Sequence, residues 1–262
     1  MVDVKTIELL IRLISFSFAY VLVSTIPSAI RSRVATYFGD DTSEQLGLSS
    51  FNPVNHLDIV GFLVLMFSTV WGSLIGWGRN LITNPFGVYG PYKKLKLIVI
   101  YYTDVVVHFL MACIGIIIFV VIFKNHVKDF AYFISVDEYM PSVAPDISGL
   151  IDLMLMYRFM SNTFLVKAFP HVSSFHVIIG FISIAAAYLH IVLGVLYMIL
   201  NTRELYMLFS SDEDDIAAYE QMRSGASTFF VPLLLLFFLA EPLRELVVRV
   251  ITMIAIALAA II

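Results

Sequence analysis

The chain has 262 residues, of which 60% are hydrophobic and 14% aromatic, against only 14% charged. Soluble proteins carry about 25% charged residues, so this composition excludes an ordinary soluble domain. One cysteine and a net charge of -4 exclude a disulfide scaffold and a basic nucleic-acid-binding domain. Because the apolar runs are continuous rather than alternating, we predict an all-α polytopic membrane protein.

Six stretches are apolar enough to predict membrane helices of about 20 residues each. They cover residues 7–30, 57–77, 97–123, 147–169, 175–200 and 228–240. Pro27 interrupts the first, and Glu241-Pro242 is predicted to break the last before an amphipathic stretch that runs to Ile262. The loops between them cover 32–56, 78–96, 124–146 and 201–227, the last with an acidic run at 211–215. Lysine and arginine divide almost evenly between alternate loops, so no orientation follows from them.

Turn-forming residues are concentrated between residues 38 and 85. Three groups follow one another in this order: Gly39-Asp40-Asp41-Thr42, then Asn52-Pro53 with His56 and Asp58, then Gly76-Trp77 with Asn84-Pro85. Asn-Pro and Gly-Asp pairs break regular structure. Because they lie beside hydrophobic segments, they predict re-entrant or interfacial loops.

Together these motifs resemble the site-2 protease family of intramembrane zinc metalloproteases, especially its short prokaryotic-type branch. In that branch an HExxH helix precedes a GDxT turn, an NPxxHxDPxG motif and a GWAKPVPVNP loop. The resemblance covers roughly residues 15 to 175. It implies a site-2-protease-like membrane core over 1–175, followed by additional C-terminal membrane helices over 176–262 with an acidic loop at 201–227. For His56 and Asp58 we expect a structural role, capping the loop where it enters the second helix.

The same resemblance predicts that the zinc chemistry is lost. Counted back from Gly39-Asp40, the HExxH motif falls on residues 27–31, where Pro27 and Arg31 occupy the ligand positions and Ser28 the position of the general base. A catalytic zinc needs two histidines four residues apart, a third ligand and a glutamate base. The family's third ligand is an Asp in an LDG motif, and no Asp or Glu occurs between Leu153 and Arg203. We therefore predict a pseudoprotease with no metal site and no enzymatic activity.

Several ionisable residues lie within the predicted spans, where charge is costly. Asp104, Asp152, Arg158 and Lys167 are open to two interpretations. They form either a polar path or docking site for another subunit's charges, or internal contacts such as an Asp152–Arg158 pair, with Lys167 extending to the interface. For Arg31, interfacial anchoring near the end of the first helix is a sufficient explanation.

The membrane histidines support an alternative, a haem- or quinone-binding electron-transfer subunit. His176 and His190 lie 14 residues apart, roughly 21 Å along one helix. Because the third helix offers only His108, at most one bis-histidine haem site is predicted, His108 with His176 or with His190. For each histidine, packing is the simpler role. A transporter and residual proteolysis with an unrecognised metal site also stay open.

The leading expectation is a catalytically inactive, site-2-protease-like membrane protein without a cofactor. It would act as a structural or interaction subunit of a hetero-oligomeric membrane complex, in contact with other integral membrane proteins and lipids but not with nucleic acid. A bacterial or organellar inner membrane is the expected location. Small residues promote close helix approach in membranes, so Gly180 and the Ala185-Ala186-Ala187 run predict a partner surface within 177–225.

Overall fold

The computed structural model describes residues 4–71, 76–79, 81–126, 151, 173–210 and 227–261, and within these ranges every regular element is helical. The helices are α1 (Val4–Tyr37), α2 (Thr42–Gln45), α3 (Pro53–His56), α4 (Ile59–Trp71), α5 (Lys93–Phe123), α6 (Ser174–Ser210) and α7 (Ser227–Ile261). A single 3₁₀ turn, Lys124–His126, follows α5.

Three of the described helices are long and apolar enough to cross a membrane: Leu13–Tyr37 in α1, Lys93–His126 at α5 and Phe175–Phe209 in α6. The prediction of an all-α protein with membrane-spanning helices is thereby confirmed. The count of six spans stays a prediction. Apart from Ile151, the predicted span at 147–169 lies outside the described residues, and Asp152, Arg158 and Lys167 with it.

Several helix boundaries differ from those predicted. Within the described part of the second predicted span, 57–77, the chain forms the 13-residue helix α4, about 20 Å long. Glu241-Pro242 does not break α7, which continues to Ile261, and Pro27 lies inside α1. Each proline removes one backbone donor, but its fixed φ suits a helix, and apolar sequence on both sides continues the element.

Helices α5 and α6 form the tightest packing contact. A Cβ atom on Gly115 of α5 would lie 2.7 Å from the Ser183 carbonyl oxygen of α6. A Cβ on Gly180 would overlap the Phe123 ring in the same way. Glycine at these positions lets the two backbones approach closely.

The small residues predicted to form a partner surface on α6 lie inside the chain instead, so that part of the prediction is wrong. Ala185-Ala186-Ala187 lies in the hydrophobic core, with at most 7% of any of these residues exposed. Of the apolar window of α6, 83% is buried inside the chain. The small residues serve packing within this chain rather than contact with another subunit. The same core includes residues from α1 and α7, so it extends across the predicted boundary at 175/176.

The segment between α1 and α5 begins and ends at the same end of the helix bundle. At that end Ala35 of α1, Leu97 of α5 and Leu205 of α6 share a second apolar cluster. Lower along α1, the Tyr20 hydroxyl lies 2.9 Å from the Asp58 carbonyl oxygen and 2.8 Å from that of Trp77. The two ends of the α4 segment, Asp58 and Trp77, thus meet at one point of α1, and we call this arrangement the α4 hairpin.

Candidate functional site

A buried ion pair joins α1 to α5. Arg31 Nη1 lies 2.8 Å from Asp104 Oδ2, with only 3% and 7% of the two side chains exposed. Arg31 Nη2 donates to Thr83 Oγ1 at 3.1 Å, and its guanidinium lies 4.8 Å from the centre of the Tyr101 ring. The expectation that Arg31 is an interfacial anchor is therefore wrong, because the guanidinium is enclosed by the protein.

Asn201 brings α6 into the same network. Its Nδ2 donates to the Tyr101 carbonyl oxygen at 2.5 Å and to Asp104 Oδ1 at 3.1 Å, and its Oδ1 accepts from Arg31 at 3.5 Å. Asp104 is thus held by a cation from α1 and an amide from α6. Of the two interpretations of Asp104, the structure shows the internal ion pair, although with Arg31 as its partner.

Ser28 of α1 contacts a fully buried histidine, His56. His56 Nε2 lies 2.7 Å from the Ser50 carbonyl oxygen, and its Nδ1 lies 3.0 Å from Ser28 Oγ. A carbonyl oxygen can only accept, so Nε2 carries a proton; in the neutral form of the imidazole, Nδ1 then accepts from Ser28 Oγ. The hydrogen-bond partners therefore determine the tautomer of His56.

A narrow cleft opens in front of Ser28. The cleft measures about 310 Å³ when the space at its open mouth is included. The part that can hold a water molecule is much smaller, about 20 Å³. That is room for one or two waters. Its lining combines residues of α1 with polar groups of α5 and α6. It consists of Pro27 and Ser28, then Asp104, His108 and Tyr197, with Ser24, Arg79, Val23 and Leu81 completing the wall.

The first and third loop motifs are joined by Asp40. This carboxylate is 1% exposed; its Oδ2 accepts from the Asn84 amide at 2.8 Å and its Oδ1 from the Thr42 amide at 3.1 Å. Gly39 has φ +105, a backbone conformation that glycine adopts without strain. Pro85, next to Asn84, is buried. These contacts hold the two loops together at the end of α1.

The second motif caps two helices. Asp58 Oδ1 accepts from the Gly61 amide at 2.6 Å at the start of α4, and Asn52 Oδ1 accepts from the Val54 amide at 3.2 Å at the start of α3, where Pro53 is the first helical residue. Both are N-terminal caps.

Gly76 and Trp77 form the returning side of the hairpin. A Cβ on Gly76 would lie 2.6 Å from Leu65 Cβ. The Trp77 carbonyl oxygen lies so close to Gly61 that no side chain would fit at that position. These glycines therefore let the returning chain lie directly against α4.

The structure brings two of the three membrane histidines together. His108 Nδ1 and His190 Nδ1 lie 2.9 Å apart in the core, each residue 1% exposed. His176 is exposed and contacts Ser173 instead. Two ligand bonds to one metal ion on opposite sides need about 4 Å between nitrogen atoms. The direct His108–His190 hydrogen bond therefore does not fit a haem iron, and the described part of the chain has no group of three His, Cys, Asp or Glu side chains placed to hold a metal.

Sequence reasoning identified Pro27, Ser28, Arg31 and the loop motifs but missed their partners. Arg31 and Asp104 are 73 residues apart. The signal that could have paired them is their opposite charge, with Asp104 in the third predicted span and Arg31 directly after the first. No comparable signal points to Asn201 or Tyr197. In comparisons with known proteins, no family model, no curated protein and no solved structure matches the chain.

Proposed function

We propose that the chain is a catalytically inactive, site-2-protease-like membrane protein that serves as a structural or interaction subunit of a larger membrane assembly. One observation carries the proposal. Arg31 stands where the resemblance expects a zinc ligand, and its guanidinium is bound by Asp104, Thr83 and Asn201. A fixed cation at this position repels a metal ion, while the ion pair ties α1 to α5 and α6.

The outer surface supports a role within a bilayer. Leu10, Ile14, Phe18 and Leu22 are exposed along one side of α1 at four-residue spacing. A similar exposed apolar strip runs along α5 through Val106, Leu110, Ile114, Ile117 and Val121. We propose that these strips contact lipid and neighbouring membrane proteins.

The loss of catalysis is tested on the purified full-length chain. We expect no stoichiometric zinc by elemental analysis, and no cleavage of a helical transmembrane peptide with or without added zinc. Arg31→His is the informative variant, since it offers an imidazole but leaves Pro27 and Ser28 unchanged; it should gain no activity. Stoichiometric zinc together with zinc-dependent cleavage by the unmodified chain would refute the proposal.

The subunit role needs a separate measurement. Native mass spectrometry after gentle solubilisation should show this chain in a complex of constant stoichiometry with at least one other integral membrane protein. A tagged, unrelated membrane protein extracted from the same membrane serves as the control for nonspecific recovery. If the chain is recovered only as a monomer, the subunit role is wrong.

A further inference from the structure

The contact between Ser28 and His56 has the geometry of an activated nucleophile. Activation of a serine requires a neutral base within hydrogen-bond reach and a third group that orients the base. His56 Nδ1 lies 3.0 Å from Ser28 Oγ, and the Ser50 carbonyl oxygen, 2.7 Å from Nε2, fixes both the ring and its tautomer. We propose that Ser28 is an acyl-acceptor site, a nucleophilic serine that takes a small acyl group from an activated ester or thioester.

Ser24 shows why this geometry is specific. It lies one turn before Ser28 on the same face of α1 and lines the same cleft. Its hydroxyl donates to the Val21 carbonyl oxygen at 3.3 Å, and within the described part of the chain no imidazole is hydrogen-bonded to it. The chain thus offers two serines in one cleft that differ in the presence of an imidazole.

The cleft supplies the other groups that acyl transfer uses. A tetrahedral intermediate develops negative charge on the carbonyl oxygen, which a nearby cation or donor stabilises. Arg79 lines the cleft, and its Nη1 donates a hydrogen bond to the Asn55 carbonyl oxygen at 3.3 Å. A guanidinium has five N–H donors in all. Tyr197 lines the same cleft. The cleft has room for only one or two water molecules. We therefore expect the donor to carry a small acyl group, of about acetyl size.

The proposed step balances as an ordinary acyl transfer. Ser28 Oγ attacks the carbonyl carbon while its proton passes to His56 Nδ1. The bond from that carbon to the leaving oxygen or sulfur then breaks, and His56 returns the proton to the leaving group. The products are O-acyl-Ser28 and a free alcohol or thiol, with no oxidation or reduction. The proposal covers this single acylation and does not require turnover.

The test uses the purified full-length protein and p-nitrophenyl acetate as the acyl donor, with intact-protein mass and peptide mapping as readouts. Wild-type protein and Ser24→Ala should gain one acetyl group at Ser28, and Ser28→Ala should gain none there or elsewhere in the cleft. His56→Gln should slow the acetylation by about 10²-fold, the lower range for loss of a general base. If Ser28 is acetylated no faster in the wild-type protein than in the His56→Gln variant, the proposal is wrong.

A second pair of variants covers the case in which His56→Gln does not fold. Ser28→Cys and Ser24→Cys both keep His56 and place a thiol at each of the two positions. The small reagent methyl methanethiosulfonate should modify the thiol at position 28 at least tenfold faster than the one at position 24. Equal rates would overturn the proposal. Neither experiment depends on the inactive-subunit proposal, since an acylated serine and a zinc-free, non-proteolytic subunit are measured separately.

Discussion

Replacing Asp104 by asparagine removes the negative charge that balances Arg31 but preserves the shape of the side chain. Arg31 then keeps Thr83, Asn201 and the Tyr101 ring as neighbours, all of them uncharged. Because the arginine is only 3% exposed, water cannot take over the role of the carboxylate. We expect Asp104→Asn to lower the free energy of unfolding by about 3–5 kcal/mol, the usual cost of leaving one partner of a buried pair unbalanced.

The double variant Arg31→Met/Asp104→Leu separates the cost of an unpaired charge from the value of the pair. Replacing a whole buried ion pair by apolar side chains is often neutral or even stabilising. We therefore expect the double variant to lose less stability than Asp104→Asn alone. Such a strong deviation from additivity is the behaviour of residues in direct contact.

Unfolding can be followed in mixed micelles by tryptophan fluorescence, since Trp77, one of the two tryptophans of the chain, meets Tyr20 of α1 through its carbonyl oxygen at 2.8 Å. The matched control is Glu245→Gln, which breaks the exposed Glu245–Arg249 pair at 3.8 Å and should cost at most about 0.5 kcal/mol. If Asp104→Asn costs no more than this control, the reasoning about the buried network is refuted.

Three further predictions concern packing, capping and haem. Gly115→Ala should lower the free energy of unfolding by about 1–3 kcal/mol, because its Cβ would meet the Ser183 carbonyl oxygen at 2.7 Å; Gly194→Ala, whose nearest contact is 3.2 Å, should cost less, and equal losses would contradict the close-packing argument. Asp58→Ala should cost about 0.5–2 kcal/mol through loss of the cap on α4, whereas Asp58→Asn should retain most of the stability; the same unfolding assay decides. The purified protein should show no Soret band, and neither His108→Phe nor His190→Phe should change its visible spectrum; a Soret band lost in either variant would establish the haem alternative.

The spanning helices could be predicted from the sequence because each depends on a local property, a continuous apolar run. The course of the chain over residues 57–77 could not be predicted in this way. Its composition is that of a span, and the hairpin depends on close approach of Gly61 to Trp77 and on the Tyr20 hydroxyl that meets both of its ends. These are tertiary contacts, which no window of hydropathy contains.

For the candidate site, too, one part could be predicted from the sequence and another part could not. The positions of Pro27, Ser28 and Arg31 follow from motif spacing, because spacing along one helix is a local quantity. Their partners, Asp104 and His56, come from other elements. Sequence reasoning assigned a surface role to Arg31 because position near a helix end does not reveal what covers that end. Charge in an apolar run indicates only that a partner is needed, and the fold decides which one.

The α4 hairpin changes how the charges of this protein are counted across the membrane. Since the two ends of the α4 hairpin meet at one point of α1, we expect the loops on either side of α4 in one compartment, where their basic residues add instead of cancelling. Arg33, Lys93, Lys94 and Lys96 therefore form one group, joined at the end of α6 by Arg203. From the positive-inside rule we expect this end of the bundle on the cytoplasmic side, or on the matrix side in an organelle. The course of the chain around α4 thus bears on an orientation that the loop sequences alone left undecided.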